Sequence, residues 1–376
     1  MKILIIGGTG VLSTDIVLRS LECGHAVSVL NRGHHISEIP KGVRIIKTNV
    51  RDVNDMSRKI KREQFDVVVD FLSFTERDLK TTFDFFKDKC KQFILISSAC
   101  VFRRSFEDGI ISEDSPKPNI NLPYSIKKYA CEKWLWANSK DVKCKYTIVR
   151  PYITYGDTRI PFGIAPLARY HWTIVARILN DKAMFLWDDG TTKCTLTHTK
   201  DFAYNFVQLY LNERAYNEDI NLVGDFVYTW REMLEILYDI LGKSKDIVSI
   251  PTSQIVKILP CYKDELVGDR SLNAVFDNSK LKRIIPDYRQ TITLERGIRA
   301  TLNYYQKNGC LDGIDYKYDG RIDKLIKCAV GRKFNFIDYL GSHCKNDRIH
   351  YDLYRILPEK FLSLLGSVKR RVDKIW

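Results

Sequence analysis

The feature that most restricts the fold of this chain is a regular alternation of short apolar runs and amphipathic segments over its first 150 residues. Between the first two runs, VLSTDIVLRSLECG has apolar residues at helical spacing and ends at Gly24, as helices often do. Apolar strands that alternate with helices indicate a parallel sheet covered on both faces. The sequence therefore predicts an α/β fold with a doubly wound parallel sheet, whose ligands bind beyond the carboxyl ends of the strands. The six predicted strands are KILIIGG, HAVSVLN, VRIIKTNV, FDVVVDFL, KQFILISS and KYTIVRP.

The first predicted strand ends in a glycine-rich turn, GGTGVLS at residues 7–13. Glycines at this place let main-chain N–H groups approach a pyrophosphate at the positive end of the following helix. Ser13 stands where the usual fingerprint has its last glycine, and its small side chain still allows close packing of helix on strand. We therefore expect a dinucleotide cofactor at this turn.

The end of the second predicted strand bears on which dinucleotide binds. Folds specific for NAD usually place Asp or Glu here for the ribose 2′-hydroxyl, whereas a nearby Arg accommodates the 2′-phosphate of NADP. This chain has Asn31 and Arg32 and no carboxylate. Both NAD and NADP are therefore open, with a slight preference for NADP. In the alternative interpretation Arg32 stacks on adenine or faces solvent and selects neither cofactor.

The net charge of +14 is unevenly distributed. Residues 321–376 contain 13 basic and 6 acidic residues, so half of the excess lies in this tail. The mildly basic remainder fits a pocket for an anionic ligand as well as it fits nucleic acid. At the end of the tail, FLSLLGSVKRRVDKIW (361–376) predicts a basic amphipathic helix. Such a helix lies on an anionic membrane surface or docks on its own domain or a second subunit.

The composition excludes several classes of protein. The ten cysteines form no C-x-x-C pair, and the histidines near them have no ligand spacing, so we expect no metal site. The N-terminal apolar run is too short for a secretory signal, and no run is long enough to span a membrane. The sequence therefore predicts a soluble, cytoplasmic protein with reduced thiols.

Two Tyr-x-x-x-Lys pairs occur in the stretch LPYSIKKYACEK: Tyr124 with Lys128, and Tyr129 with Lys133. With 20 tyrosines in a lysine-rich chain, about two such pairs are expected by chance, so the motif alone carries little information. Its surroundings are more informative. Ser98 ends a buried strand 26 residues earlier, and the residues after Tyr124 predict a helix that brings Lys128 beside the phenol.

These features together resemble the extended short-chain dehydrogenase/reductase superfamily of NAD(P)-dependent nucleotide-sugar epimerases, dehydratases and reductases, and in particular its atypical branch. The resemblance covers about residues 1–306 and selects Tyr124–Lys128, because Tyr129 lies too far past Ser98. It implies a Rossmann-type domain and a catalytic set of Ser98, Tyr124 and Lys128. The matching segments are GGTG, NRG (31–33), NVRD (49–52), ISSACVF, YSIKK, RPYITYG (150–156), THTKD (197–201), INLVGD (220–225) and FDNSKLKRIIPDY (276–288). The cofactor-binding residues that it implies are Gly7, Gly8, Thr9, Gly10, Val11, Leu12, Asn31, Arg32, Asn49, Val50, Phe71, Leu72, Ser73, Lys128, Pro151 and Tyr152.

The resemblance also implies a hydride-transfer reaction at a sugar carbinol. Tyr124 would exchange the hydroxyl proton, Ser98 would hold the same oxygen, and Lys128 would bind the nicotinamide ribose. Lys128 and an oxidised nicotinamide would lower the pKa of Tyr124. Relatives that dehydrate their sugar usually have Asp-Glu after the active-site hydroxyl, where this chain has Ala99 and Cys100. We therefore expect an epimerase of a nucleotide sugar, with an NADPH-dependent reductase of a 4-keto sugar nucleotide as the alternative and an RNA-binding relative as the less favoured one.

The expected domains are a Rossmann domain at 1–150, an interleaved α/β substrate lobe at 151–306 and a basic helical extension at 307–376. In the lobe, guanidinium groups could meet a substrate diphosphate. The candidates are Arg150, Arg159, Arg169 and Arg177. The expected partners are a nucleotide sugar or a lipid-linked sugar and a second copy of the chain. Peripheral membrane contact through the tail stays open, and nucleic acid is not favoured.

Overall fold

The computed structural model describes residues 1–34, 39–105, 109–332, 340, 345–359 and 361–362. The strands within these residues are β1 (Lys2–Ile6), β2 (Ala26–Asn31), β3 (Arg44–Lys47), β4 (Phe65–Asp70), β5 (Cys90–Ile96), β6 (Ile110–Ile111), β7 (Lys145–Arg150), β8 (Ile153–Tyr155), β9 (Met184–Trp187), β10 (Lys193–His198), β11 (Glu218–Asn221), β12 (Phe226–Thr229), β13 (Ile247–Ile250) and β14 (Val275–Phe276). The helices are α1 (Val11–Glu22), α2 (Val53–Ile60), α3 (Glu76–Phe86), α4 (Pro123–Asn138), α5 (Trp172–Leu179), α6 (Thr199–Phe206), α7 (Trp230–Leu241), α8 (Thr252–Ile258), α9 (Lys263–Glu265), α10 (Ser279–Ile284), α11 (Leu294–Lys307), α12 (Tyr316–Val330) and α13 (Lys345–Ile356).

The main sheet has seven strands in the order β11-β7-β5-β4-β1-β2-β3, and each neighbouring pair is parallel. All six strands predicted from the apolar runs are present, and β11 adds the seventh from the segment INLVGD. From β1, strands β2 and β3 are added towards one edge of the sheet, and β4 and β5 are added towards the other edge. This strand order is that of a doubly wound Rossmann fold. The predicted α/β class is therefore confirmed.

The apolar strands are continuous because helices cover both faces of this sheet. Side chains alternate along β1: Ile3 and Ile5 join one buried cluster, and Leu4 and Ile6 join the other. The first cluster includes residues of α1 and α6, and the second includes residues of α2, α3 and α4. All four β1 side chains are fully buried, which fixes the carboxyl end of β1 and the turn that follows it.

The chain divides into two compact units whose boundaries differ from the predicted ones. The first unit contains residues 1–156, 194–227 and 274–293. The segment 194–227 belongs to this unit because β11 extends the main sheet beside β7 and α6 packs in the same cluster as α1. Residues 151–306 are therefore divided between the two units.

The second unit contains residues 157–193, 228–273 and 294–376, and its core includes a buried ion network. Arg177 and Lys182 each pair with Asp319 and Asp323 of α12, and all four side chains are nearly inaccessible to solvent. The Tyr351 hydroxyl of α13 donates to Asp323 at 2.6 Å. These contacts place α12 in the second unit, so the predicted boundary at 306/307 does not separate compact units.

The end of the tail lies largely outside the residues that the structure describes. The predicted amphipathic helix at 361–376 falls outside the described residues except for Phe361, which is exposed, and Leu362, which is buried. Among the helices that the structure describes, none has the length and apolarity that a membrane crossing requires.

Candidate active site

The glycine turn after β1 packs tightly against its surroundings. Gly7 has a φ of +96°, and a Cβ there would lie 2.9 Å from the Leu72 side chain. A Cβ on Gly8 would lie 2.7 Å from a methyl group of Val29. Position 7 therefore requires glycine because of its positive φ and because a Cβ would clash with Leu72. Position 8 requires glycine so that the turn can pack closely on β2.

Ser13 is part of the turn rather than a defect in it. Its hydroxyl oxygen accepts a hydrogen bond from the Gly10 N–H at 2.8 Å, and it lies 3.2 Å from the Gly7 carbonyl, to which it donates. The side chain is 1% exposed. A serine at this position therefore keeps the close helix–strand packing of the usual glycine and adds hydrogen bonds that stabilise the turn.

A cavity of about 300 Å³ opens beside the turn. Its lining includes seven of the predicted cofactor-binding residues: Gly7, Thr9, Asn31, Arg32, Asn49, Val50 and Leu72. It also includes Leu30, Gly33, His34, Thr48, Arg51 and Phe74, which the sequence analysis did not single out. The lining lies at the carboxyl ends of β1, β2 and β4, where a doubly wound sheet binds its ligand.

The end of the cavity at β2 carries positive charge. Arg32, His34 and Arg51 line it, and the described lining contains no Asp or Glu. Arg51 pairs with Asp78 at 2.9 Å, whereas Arg32 is exposed and forms no ion pair with the described residues. The side-chain oxygen Oδ1 of Asn31 accepts a hydrogen bond from the Gly33 N–H at 2.9 Å, which turns the chain here.

Asp70 at the end of β4 shapes the opposite wall of the cavity. This fully buried carboxylate accepts from the N–H groups of Leu72 and Ser73 and from the Ser73 hydroxyl, at 2.8, 3.1 and 2.6 Å. Burial raises its pKa, while these hydrogen bonds and the Lys128 cation oppose that shift. The bonds curl the chain so that Leu72 and Phe74 face the cavity while Ser73 stays buried.

The three predicted catalytic residues come together at the same edge of the sheet. Ser98 follows β5, and its hydroxyl hydrogen-bonds both the Cys100 N–H, at 3.2 Å, and the Tyr124 phenol. Tyr124 is the second residue of α4, and Lys128 lies one turn further along. The Lys128 ammonium is 2% exposed and donates to the Ser73 and Ile96 carbonyls at 2.8 and 2.9 Å. The helix is therefore anchored to the ends of both β4 and β5.

The electrostatics of this group differ from the expectation in one respect. Part of the Tyr124 ring is open to solvent, yet desolvation of its phenol raises its pKa, and the hydrogen bond from Ser98 only opposes this rise. Burial lowers the pKa of Lys128, with Asp70 as the main opposing charge. In the protein without cofactor, burial therefore favours the neutral form of the Tyr124 phenol.

Phe74 is the missed lining residue that lies nearest the predicted catalytic pair among those with a ring contact to it. Its ring centroid lies 4.7 Å from the Lys128 ammonium and 6.5 Å from the Tyr124 ring. The side chain is exposed and lines the cavity, so it links the glycine turn to the helix that carries the tyrosine. Phe74 directly follows the predicted cofactor-binding residues Phe71, Leu72 and Ser73, and this position in the sequence could have identified it.

The other predicted cofactor-binding residues lie apart from the described cavity lining. Val11 and Leu12 begin α1, and Gly8 faces the core. Tyr152 is 8% exposed and packs its ring 4.8 Å from that of Phe276. The full set outside the lining is Gly8, Gly10, Val11, Leu12, Phe71, Ser73, Lys128, Pro151 and Tyr152.

Two of the four candidate arginines serve a structural purpose. Arg150 and Arg177 are fully buried and bind carboxylates of their own units, because a guanidinium in the core needs acidic partners. Arg169 lies over the ring of Tyr170, 4.7 Å from its centroid. Arg159 forms no hydrogen bond or ion pair with the described residues, and burial lowers its pKa. It stays a prediction as a contact for an anionic group.

The chain's own residues fit a dinucleotide cofactor. A Cβ would fill the space at Gly7, the first turn of α1 contains no acidic residue, and the N–H groups of a first helical turn lack partners within the helix. In the part of the chain that the structure describes, no group of three or more His, Cys, Asp or Glu could hold a metal ion.

The fold and the site define an NAD(P)-dependent enzyme of the short-chain dehydrogenase/reductase type. The chain belongs to the NAD dependent epimerase/dehydratase family, whose sequence model matches residues 3–223. The predicted family is thus confirmed.

Individual relatives are distant. The chain is 23% identical to 2'-dehydrokanamycin reductase of Streptomyces kanamyceticus over 291 residues, 77% of this chain and 80% of the relative. It is 24% identical to the chloroplast stem-loop binding protein of 41 kDa b of Arabidopsis thaliana over 242 residues, 61% of this chain and 60% of the relative. The solved UDP-glucose 4-epimerase of Thermotoga maritima, with UDP-glucose, superposes with a TM-score of 0.66 at 20% identity. That match covers 82% of this chain and 99% of the other, and it shows the fold alone.

Proposed function

We propose that this protein is an NADP(H)-dependent epimerase of a sugar nucleotide, which inverts a carbinol centre through a keto intermediate. The observation that carries the proposal is the grouping of Ser98, Tyr124 and Lys128 at the sheet edge where the glycine turn borders its cavity. Membership of the epimerase/dehydratase family supports it. Dehydration is not proposed, because Ala99 and Cys100 occupy the place of the acidic pair that dehydratases usually have.

In the proposed mechanism Tyr124 takes the hydroxyl proton from the carbinol and later returns it. The Ser98 hydroxyl, which hydrogen-bonds the phenol, would also hold the carbinol oxygen in line. Lys128, fixed by two carbonyls, would hold the ribose of the cofactor. When bound, the nicotinamide would supply a hydride acceptor and donor. General acid–base help of this kind contributes about 10²–10⁴-fold to the rate.

The choice of NADP(H) is supported by the charge at the β2 end of the cavity. Arg32 has no acidic partner among the described residues, and a guanidinium binds a phosphate with two parallel hydrogen bonds. The described lining contains no carboxylate for a 2′-hydroxyl. A 2′-phosphate would therefore find a cation and no repelling charge.

A second candidate is an NADPH-dependent reductase of a keto sugar. The positive end of the cavity favours it, since reductive enzymes draw on NADPH, and one relative is named a reductase. Both candidates use the same Tyr124 proton exchange. They differ in whether reduced cofactor is consumed.

One experiment tests both candidates. The native protein is incubated with UDP-glucose, UDP-glucuronic acid or a UDP-4-keto-6-deoxy sugar, each with NADP⁺ or NADPH. The epimers are separated by chromatography, and products and cofactor are then quantified by mass spectrometry. Epimer without net change in cofactor supports the epimerase, and one NADPH oxidised per product supports the reductase. Tyr124→Phe should lower turnover about 10²–10⁴-fold while NADPH still binds. Unchanged turnover in this variant, or tight polynucleotide binding with a steep salt dependence and no turnover, would contradict the proposal.

A further inference from the structure

Helix α4 carries a third polar side chain in line with the predicted catalytic pair. Tyr124, Lys128 and Glu132 are spaced four residues apart, so they lie on one face of the helix. Glu132 is fully buried. It lies two turns from Tyr124 and has no place in the proton exchange described above. A buried carboxylate at this position therefore needs a separate explanation.

The hydrogen-bond partners of Glu132 among the described residues lie at the ends of two strands under the site. One carboxylate oxygen accepts from the Ser97 hydroxyl at 2.5 Å and from Nε of Arg150 at 2.9 Å. The other oxygen accepts from Nη2 of Arg150 at 2.8 Å. The pair is bidentate, which is the geometry that fixes orientation most strongly. Helix α4 is therefore tied by this side chain to the end of β5 and to the last residue of β7.

Arg150 is held from its other side as well. Its Nη1 lies 2.5 Å from Asp219 of β11, and its own side chain is fully buried. Burial acts to lower the pKa of Arg150, but the carboxylates of Glu132 and Asp219 raise it more. One guanidinium thus connects α4 to two neighbouring strands of the main sheet.

Ser98 stands between two residues whose main-chain N–H groups are bonded to β7 and to the residue that follows it. The Ser97 N–H donates to the Val149 carbonyl, and the Ala99 N–H donates to the Pro151 carbonyl, both at 2.8 Å. The Ser97 side chain turns inward to Glu132, whereas that of Ser98 bonds the Tyr124 phenol. The strand end that carries Ser98 and the helix that carries Tyr124 therefore share one buried anchor.

We propose that Glu132 is a positioning residue, which keeps the Tyr124 phenol on the Ser98 hydroxyl by fixing α4 against β5 and β7. The proposal rests on the proposed function of Tyr124. Stability alone explains the network poorly, because a buried ion pair often contributes no more than well-packed apolar side chains of the same volume. Orientation is what the bidentate geometry supplies.

The test compares four variants of the full-length protein. Glu132→Gln keeps the shape but replaces one acceptor by a donor, and Ser97→Ala removes only the hydroxyl bond. Ser20→Ala is the matched control, since Ser20 is equally buried and donates to the Ile16 carbonyl at 2.7 Å away from the site. Tyr124→Phe reports on the proposed function itself. The measurements are kcat and KM with the sugar nucleotide that turns over fastest in the panel above, the Kd for NADPH, the thermal midpoint and the pH profile of kcat.

The expected result is a loss of kcat on the order of 10²-fold in Glu132→Gln, because a displacement of about 1 Å can cost that much. Ser97→Ala should lose less, and the KM and the Kd for NADPH should stay unchanged in both. The Ser98 bond lowers the pKa of Tyr124, so loosening it should move the acid limb of the pH profile upward. Ser20→Ala should lower only the thermal midpoint.

Three outcomes would overturn the proposal. One is wild-type kcat and pH profile in Glu132→Gln while Tyr124→Phe is inactive, which leaves the proposed function intact. Another is an equal loss of kcat in Ser97→Ala and Ser20→Ala, which would assign the effect to stability. Activity retained in Tyr124→Phe would remove the proposed function and this inference with it. If Glu132→Gln does not fold, Ser97→Ala decides by the same criteria.

Discussion

Replacement of Gly7 by alanine tests the structure of the cofactor turn most directly. The residue has a φ of +96°, a conformation that side chains with a Cβ rarely adopt. The new Cβ would also lie 2.9 Å from both Cγ and Cδ2 of Leu72 and 3.4 Å from Cβ of Phe71. Because Leu72 lines the cavity, a displacement of its side chain changes the wall of the space where the cofactor is proposed to bind.

The cost has two parts, and a matched control separates them. A non-glycine residue held at positive φ costs about 1–3 kcal/mol, and overpacking of this kind costs a further 1–3 kcal/mol or so. Gly42 has a φ of +89° and no atom within 4 Å of its Cβ position. Gly42→Ala should therefore show the backbone term alone. Gly7→Ala should lose about 1–3 kcal/mol more.

Urea denaturation measures the free energy of unfolding, and titration calorimetry measures the Kd for NADPH. We expect Gly42→Ala to keep the wild-type Kd and Gly7→Ala to weaken binding clearly. Equal losses of unfolding free energy in the two variants, with NADPH binding intact in both, would refute the argument that the contact with Leu72 sets the cavity wall.

Three further changes have clear expected outcomes. Arg32→Gln should raise the Kd for NADPH about 10-fold or more in titration calorimetry and leave that for NADH unchanged, since a hydrogen bond to a charged group contributes roughly 1.5–3 kcal/mol. Burial lowers the pKa of His171 to about 3. Below the ordinary histidine pKa near 6.5, the unfolded chain therefore binds a proton that the folded chain does not bind. The unfolding free energy should fall as the pH drops from about 6.5 towards 3, by up to ~1.4 kcal/mol per pH unit. His171→Asn should flatten that slope in urea denaturation at a series of pH values, and an unchanged slope would contradict the assignment. Asp323→Asn leaves two buried cations with one full carboxylate, and should lower the unfolding free energy by about 3–5 kcal/mol; a loss below 1 kcal/mol would mean the network relaxes.

The parts of the fold that could be predicted from the sequence are those written in local patterns. Strand β1 is four buried aliphatic residues followed by glycines, and this pattern needs no distant partner to be recognised. Helix α1 ends where expected, with Gly24 at a φ of +74°. Tyr124 and Lys128 share a helix, so their proximity also followed from spacing alone.

The parts that could not be predicted depend on long-range partners. In the sequence, Arg150 and Arg177 cannot be distinguished from arginines that bind phosphate, because the residue type does not reveal a carboxylate partner elsewhere in the chain. Arg177 binds Asp319, which lies 142 residues later in the chain, and Ser97 binds Glu132, which lies 35 residues later. The substrate lobe was predicted to interleave with the Rossmann domain, but the segments that return to the first unit, 194–227 and 274–293, were not predicted, since nothing local indicates that β11 lies beside β7.

The pKa of Tyr124 connects the structure to the order of events in the proposed reaction. Desolvation raises the pKa of this phenol, so the protein alone favours its neutral form, and burial lowers the pKa of the neighbouring Lys128. A phenolate at this place therefore needs a further positive charge beside it, because an opposite charge within a few ångström favours the ionised form. The free enzyme should hold Tyr124 protonated above pH 10, which the difference between the ultraviolet titrations of wild type and Tyr124→Phe measures. A Tyr124 that ionises near neutral pH without cofactor would show that Lys128 activates it unaided.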